Sequence, residues 1–265
     1  MSYTPGIYPS IPNREYHADP ALGSTSLKTL ATKTPAHWKW DSAHSVHKTE
    51  FDIGTAAHSL ILEQDESGIE VLEFDSFRTK DAQEAKAKAY AEGKTPLTQS
   101  QWDEVRRVRD SVMSHPDASL AFTGHRAEHS VFWDEDGLML KCRPDAWLPD
   151  LLVDLKTSVT ADPRDLRKRA LDMGWHQSAA HYIDGVKAMT GRELPFVFVT
   201  VEKTAPYLVS VIELAPSFVA LGREANTRAK AIFRRCAAAN EWPGYPEIEP
   251  LEAPRWAETK EILHV

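Results

Sequence analysis

Between Ala127 and Lys156 the chain alternates apolar and polar residues. Two turn signals, Asp134-Glu135-Asp136-Gly137 and Pro149-Asp150, cut that alternation into three runs. A period of two is what a strand with one buried face requires, so the stretch predicts a three-stranded antiparallel meander. The turns set the pairing. With Leu148 opposite Leu151, Ala146 meets Val153 and Asp145 falls opposite Asp154. With Trp133 opposite Leu138 across the acidic loop, Glu128 falls opposite Arg143. One face then carries Val131, Trp133, Leu138, Leu140, Cys142, Ala146, Leu148, Leu151, Val153 and Leu155. The other carries Glu128, Ser130, Lys141, Arg143, Asp145, Asp154 and Lys156, with Phe132, Met139, Trp147 and Leu152 as apolar exceptions. A slip of one residue would scatter both sets.

Two carboxylates paired across a ladder hold their Cβ atoms about 5 Å apart, and repulsion pushes one towards protonation unless a cation intervenes. A divalent ion resolves the conflict. Asp and Glu oxygens suit Mg²⁺ or Mn²⁺, which also accept phosphate oxygens. Lys156 lies two residues beyond Asp154, on the same face, where its ammonium can reach a phosphate. Asp145, Asp154 and Lys156 therefore form a set suited to metal-assisted attack of water on a phosphodiester. Asp-x-Lys is common on wet strands, but Asp154 stands inside Leu151-Leu152-Val153-Asp154-Leu155, an apolar run that predicts a buried charge.

Around the meander the pattern is mostly helical. Met1 to Gly23 reads as an extended arm, and Ser24-Thr25-Ser26 as the N-cap of a short helix to about Thr32. Helices are predicted from Gly54 to Glu63, Lys80 to Glu92 and Ser100 to Ser114, the last with Trp102, Val105, Val108 and Val112 on one face. Helical patterning returns from Pro163 to Met189. Strands follow at Phe196 to Lys203 and Tyr207 to Leu214, then a basic helix from Pro216 to Ala239 and a Pro-rich surface strap after Trp242. This is one α+β domain over residues 1–265: a mainly helical part (1–126), a catalytic sheet with helices (127–240) and a tail (241–265).

Composition narrows the function. No apolar run approaches the ~20 residues of a membrane span. The first residues do not form a secretion leader, and Cys142 and Cys236 are too few for a disulfide framework. A cytoplasmic setting follows. With 31 basic against 39 acidic side chains the net charge is -8, which argues against a general nucleic-acid coat protein. The basic residues are nonetheless grouped. Arg164, Arg167, Lys168 and Arg169 lie just downstream of the Asp-x-Lys strand and form the preferred phosphate-binding segment. No Walker A loop is present, so ATP dependence is not expected.

Arg143-Pro144-Asp145 followed by Asp154-Leu155-Lys156-Thr157-Ser158 resembles the PD-(D/E)XK nuclease signature. Further blocks resemble the RecE-type (exodeoxyribonuclease VIII) group of its RecB-like branch: Tyr16-His17-Ala18-Asp19, Ser24-Thr25-Ser26-Leu27-Lys28, Pro35-Ala36-His37-Trp38 and Gly54-Thr55-Ala56-Ala57-His58. Ala127 to Trp133 and Gly174-Trp175-His176 through Tyr182-Ile183-Asp184-Gly185 complete the set, from about Tyr16 to Gly191. The resemblance implies a central mixed sheet with an antiparallel meander flanked by helices, and Mg²⁺, with Mn²⁺ as a substitute. Asp145, Asp154, the Leu155 carbonyl, His58 and Glu128 would hold it, Glu128 being the additional acid carried on a strand. Lys156 would orient the attacking water, Arg143 would touch phosphate or brace Glu128, and Thr157, Gln177 and Tyr182 would contact DNA; His176 and His181 flank that last motif.

The family's glutamine precedes its tyrosine by four residues, where Ser178 stands here; Gln177 lies five before Tyr182. The implied activity is ATP-independent digestion of double-stranded DNA from its ends, 5′ to 3′. It would leave 3′ single strands for a partner annealing protein in phage-type recombination, with a ring-shaped homo-oligomer. Alternatives are a RecB-like nuclease acting on single strands or flaps, and a non-catalytic DNA-binding module that retains the fold.

Overall fold

The computed structural model describes residues 2–44, 52–246 and 250–253. The chain begins with β1 (Gly6–Tyr8), α1 (Asn13–Ala18), α2 (Ser24–Thr32), α3 (Pro35–Ala43) and α4 (Asp52–His58), which runs into a π-helical turn, Ser59–Glu63. Next come β2 (Ile69–Leu72), α5 (Lys80–Ala91), β3 (Thr95–Thr98), α6 (Gln99–Ser114) and α7 (Pro116–Ala121). The strand-rich part holds β4 (Arg126–Ala127), β5 (Ser130–Glu135), β6 (Leu138–Cys142), β7 (Ala146–Leu148) and β8 (Leu151–Ser158). It closes with α8 (Pro163–Asp172), α9 (Trp175–Thr190), β9 (Phe196–Glu202), β10 (Val209–Glu213) and α10 (Pro216–Ala239). Among the described residues no helix is long and apolar enough to cross a membrane.

The expected meander divides at Pro144, which has no N–H to give to a ladder. Upstream, β5 and β6 form a three-stranded sheet in the order β1-β5-β6; downstream, β7 and β8 enter a five-stranded sheet in the order β10-β9-β8-β7-β4. That second sheet is mixed, with β8 parallel to β9 and antiparallel to β7, and helices flank it. The Pro149-Asp150 turn has the expected register, Leu148 opposite Leu151 and Ala146 opposite Val153. The acidic loop differs by two residues: Trp133 pairs with Leu140 and Glu135 with Leu138. A shift of two preserves which face each side chain takes, so the hairpin's faces survive, but Glu128 falls outside the ladder.

The single apolar face expected across the meander does not survive the break. Val131, Trp133, Leu138, Leu140 and Cys142 share one core with Trp147 and Leu152, two of the supposed exceptions. Ala146, Val153 and Leu155 belong to a second core. The alternation restarts where the chain changes sheets, so β8 is buried on both faces, as a strand with a parallel neighbour usually is. Leu27 and Leu30 of α2 with Trp175, Ala179, Ile183 and Val186 of α9 cover one face. Ala56 and Ala57 of α4 with Trp102, Val105, Val108 and Val112 of α6 cover the other; the α6 stripe is the one its periodicity predicts.

Two local expectations are corrected, and one element is added. The N-terminal arm is not simply extended: β1 pairs with β5, Ile7 opposite Val131, and α1 follows. The N-cap of α2 is Gly23, and Ser24 is already inside the helix with no side-chain cap. The short parallel pair β2–β3 lies where no alternation marks it. In the tail, Trp242 stacks on Trp38 with ring centroids 4.7 Å apart; residues 247–249 and 254–265 of the expected strap lie outside the described residues.

Helices α9 and α10 touch through Gly222, where an added Cβ would lie 2.1 Å from the His176 carbonyl oxygen. Because backbone cannot swing aside as a side chain can, Gly222→Ala should lower stability by about 2 kcal/mol or more in urea denaturation. His181 of α9 is buried against Trp133, with Nε2 2.9 Å from the Lys141 carbonyl oxygen. Burial lowers its pKa to about 4, with the Lys141 carbonyl opposing. The folded state therefore stays neutral here while the unfolded chain takes up a proton below its ordinary 6.5, so stability falls as pH drops from 6.5 towards 4. The loss in unfolding free energy between pH 7 and pH 5 should shrink by about 2 kcal/mol in His181→Gln.

Candidate metal and phosphodiester site

Four segments converge at the β7 end of β8. Asp154, Leu155 and Lys156 come from β8, Asp145 from the residue before β7, His58 from the end of α4, and Glu128 from the link between β4 and β5. Asp145 Oδ2 accepts the Leu155 N–H at 2.6 Å, taking a position a backbone carbonyl would hold if the ladder continued. Its carboxylate is thereby pinned beside Asp154. His58 Nδ1 lies 3.7 Å from the same Oδ2. Donor atoms of His58, Glu128 and Asp145 all fall within 4.8 Å of one another. Asp154, 3% exposed, stands outside that trio and is ion-paired with the Lys156 ammonium.

Glu128 is not on a strand as expected. It sits in the left-handed region at φ 52°, an uncommon conformation for a residue with a side chain. Its N–H donates to the Asp145 carbonyl at 3.2 Å, which holds it there. Its carboxylate lies 3.5 Å from Arg143 Nη1. Arg143 is buried, and its other bonds go to Ser130 Oγ (2.8 Å) and the Ile11 carbonyl (3.0 Å), with the guanidinium 3.9 Å from the Tyr16 ring centroid. Of the two roles open to it, these contacts are those of a brace, and Arg143 also lines the cleft described below.

The electrostatics follow from crowding charge at the partly desolvated edge of the core. Burial raises the Asp145 pKa and Asp154 raises it further, while Lys156 and the Leu155 N–H oppose. Burial likewise raises Glu128, helped by Asp145 and opposed by Arg143 and His58. Burial works against the Lys156 ammonium, yet Asp154 and Asp145 lift its pKa above the ordinary lysine value, so it is charged. Burial and then Lys156 lower the His58 pKa, leaving a neutral imidazole with a lone pair. Two repelling carboxylates and one neutral imidazole within reach of a common point fit a divalent cation.

These groups open into a cleft of about 1020 Å³. One wall is the segment Pro9 to Asn13 with Tyr16 and His17; the other is α4 and its π-helical turn, with Thr55, Ser59 and Glu63. Thr157 and Tyr182 line it as expected residues of the site. Gln177 does not line it: it is buried, its Nε2 donates to Asn226 Oδ1 at 3.1 Å, and its carbonyl accepts from Asn226 Nδ2 at 2.9 Å. At about 100° per residue, five residues place it roughly 140° around α9 from Tyr182, towards α10, where four would leave about 40°.

Arg164, Arg167, Lys168 and Arg169 lie on α8 and do not line the cleft; Arg164 is engaged by Asp162. His176 packs against the Ala170 carbonyl and His181 is core, so neither lines the cleft. In the N-terminal wall, Tyr16 and His17 stand in a block that carries the resemblance, while Pro9 to Pro12 form an irregular segment with no periodicity to mark it. The α4 side had a signal: Thr55, His58 and Ser59 follow the helical spacing of one face.

The profile of a family described as "PDDEXK-like domain of unknown function (DUF3799)" matches residues 23–252. No curated protein matches the sequence. Among solved structures, a presumed exonuclease from Eubacterium rectale aligns with a TM-score of 0.66 at 13% identity, over 91% of this chain and 92% of its own. That likeness is one of fold. An alkaline exonuclease from Laribacter hongkongensis aligns over 72% of this chain and 94% of its own at 14% identity, with a TM-score of 0.28 that carries no structural argument.

Relieving the crowded charge should move stability and cation binding in opposite directions. Asp145→Asn keeps an oxygen for the Leu155 N–H but removes the repulsion with Asp154. The variant should melt about 3 °C higher than the native protein in EDTA. It should also lose the rise in melting temperature that Mn²⁺ produces in the native protein, both read by calorimetry.

Proposed function

Because the chain belongs to the PDDEXK-like family DUF3799, we propose that it is a Mg²⁺-dependent deoxyribonuclease that digests double-stranded DNA from its ends. The observation that carries this reading is the pinned pair of buried carboxylates, Asp145 and Asp154, with the Lys156 ammonium beside them on an open cleft. Asp145, Glu128 and His58 would hold the ion, with Asp154 and the Leu155 carbonyl beside them; Mn²⁺ would substitute. When bound, it polarises the phosphodiester and lowers the pKa of the attacking water.

The chain's own groups supply the rest. Lys156, kept charged by its two carboxylates, steers the attacking water and offsets negative charge that grows on the phosphate. Arg143 holds Glu128 in its left-handed turn, and the Tyr182 phenol and Thr157 hydroxyl offer neutral hydrogen bonds to the strand. Digestion from 5′ to 3′, 3′ single strands passed to an annealing protein, a recombination role, a cytoplasmic setting and a ring-shaped oligomer belong to the same proposal. They are supported by the blocks similar to RecE-type exonucleases between Tyr16 and Gly191.

Linear duplex labelled at either 5′ or 3′ ends, set beside closed circular duplex, tests the reading. Label should leave the 5′ end only with Mg²⁺ present, while circles stay whole. Cut circles would replace the exonuclease with an endonuclease, and DNA retention with no turnover in Mg²⁺ or Mn²⁺ would leave a binding module. Asp154→Ala and Lys156→Ala should each slow digestion by about 100-fold or more with folding intact; undiminished rates in both would remove the site assignment.

A further inference from the structure

Six lysines among the described residues are partly or wholly withdrawn from solvent: Lys28, Lys86, Lys94, Lys141, Lys156 and Lys230. Five have acceptors. Lys86 faces Asp52, Lys94 faces Glu70, Lys156 faces Asp154 and Lys230 faces Glu135. Lys141 donates to the carbonyls of Tyr16 and Asp19. Lys28 alone, on α2, has neither a carboxylate at ion-pair distance nor a hydrogen-bond acceptor among the described residues.

Its position is set by packing. The methylenes lie against Gly174, where any Cβ would come within 2.5 Å of Lys28 Cδ. Its ammonium lies close enough to Lys156 and Asp154 to feel both charges, while Lys28 itself stands beyond the residues that line the cleft. Burial, and then Lys156, lower its pKa to about 8 against the opposing charge of Asp154. No carboxylate among the described residues reaches ion-pair distance, and a cation withdrawn from water without a partner is destabilising.

We propose that Lys28 binds a phosphate of the nucleic-acid strand next to the phosphodiester faced by Asp154 and Lys156. This rests on the nuclease reading above and names a residue beyond that site. A helix lysine kept for structure would need its charge satisfied or its stem irreplaceable. Here the charge is unsatisfied, and a methionine would supply the same packing over Gly174.

Lys28→Met and Lys28→Arg separate the roles. Binding of fluorescein-labelled duplex DNA is followed by anisotropy in EDTA, which blocks turnover, between 50 and 200 mM KCl. For Lys28→Met, affinity should fall by about 10-fold at the lowest salt, and the slope of log affinity against log salt should shrink by about one. Lys28→Arg should stay near native. Mn²⁺ binding by calorimetry should not change, and the melting temperature of Lys28→Met should equal or exceed the native value.

Native affinity and salt slope in Lys28→Met would overturn the proposal, as would weaker DNA binding accompanied by a lower melting temperature and weaker Mn²⁺ binding. Lys28→Gln provides the same readout if methionine disturbs α2. A native protein that neither binds nor digests DNA overturns the nuclease reading. Native digestion with an indifferent Lys28→Met overturns this inference alone.

Discussion

The bond from the Leu155 N–H to Asp145 Oδ2 sets the geometry around which the rest of the molecule is arranged. It ties a carboxylate to the central strand at the point where the β7–β8 ladder ends. Asp145 can then neither turn to water nor withdraw from Asp154. Its backbone is used as well, since its carbonyl accepts the Glu128 N–H and holds that residue in its left-handed turn. A third acid is thus brought to the same point. Lys156 and the neutral His58 balance the crowding from opposite sides, one by charge and the other by an uncharged lone pair.

Such a concentration of charge persists because the scaffold around it is dry and rigid. β8 is covered on both faces, by α2 and α9 on one side and by α4 and α6 on the other. Small residues let the layers approach, as at Gly222 between α9 and α10 and at Gly185, where an added Cβ would come 2.5 Å from Trp133. The N-terminal segment is fastened by two buried cations. Lys141 takes the carbonyls of Tyr16 and Asp19, and Arg143 takes that of Ile11. Lys141 would otherwise be an unpaired charge in the interior, so the segment and the sheet satisfy each other. The wall of the cleft is therefore part of the fold's hydrogen bonding.

Alternation along one stretch made the central acids legible. Asp145 and Asp154 fall on one face in the register that Pro149-Asp150 sets, Leu148 opposite Leu151, and a carboxylate in an apolar strand is a marked exception to burial. The acidic loop was read two residues out of register without harm, because a shift of two leaves faces unchanged. Pro144 was legible as a residue but not as the place where two sheets part, since alternation continues through it. The consequences were that Trp147 and Leu152 looked like exceptions when they are core, and that Glu128 looked like a strand residue.

The sequence by itself brought out the side chains proposed to carry the chemistry: Asp145, Asp154 and Lys156 by period, and His58 and Tyr182 by their resemblance to known blocks. Tertiary structure decided what each neighbour does with its charge. Arg143 braces Glu128 because Ser130, Ile11 and Tyr16 surround it, Gln177 turns to Asn226 because one extra residue rotates it about α9, and Lys28, its stem held over Gly174, has no partner among the described residues. Periodicity reports which face of a strand or helix a residue occupies; whether a buried charge finds a partner depends on distances between segments far apart in the chain.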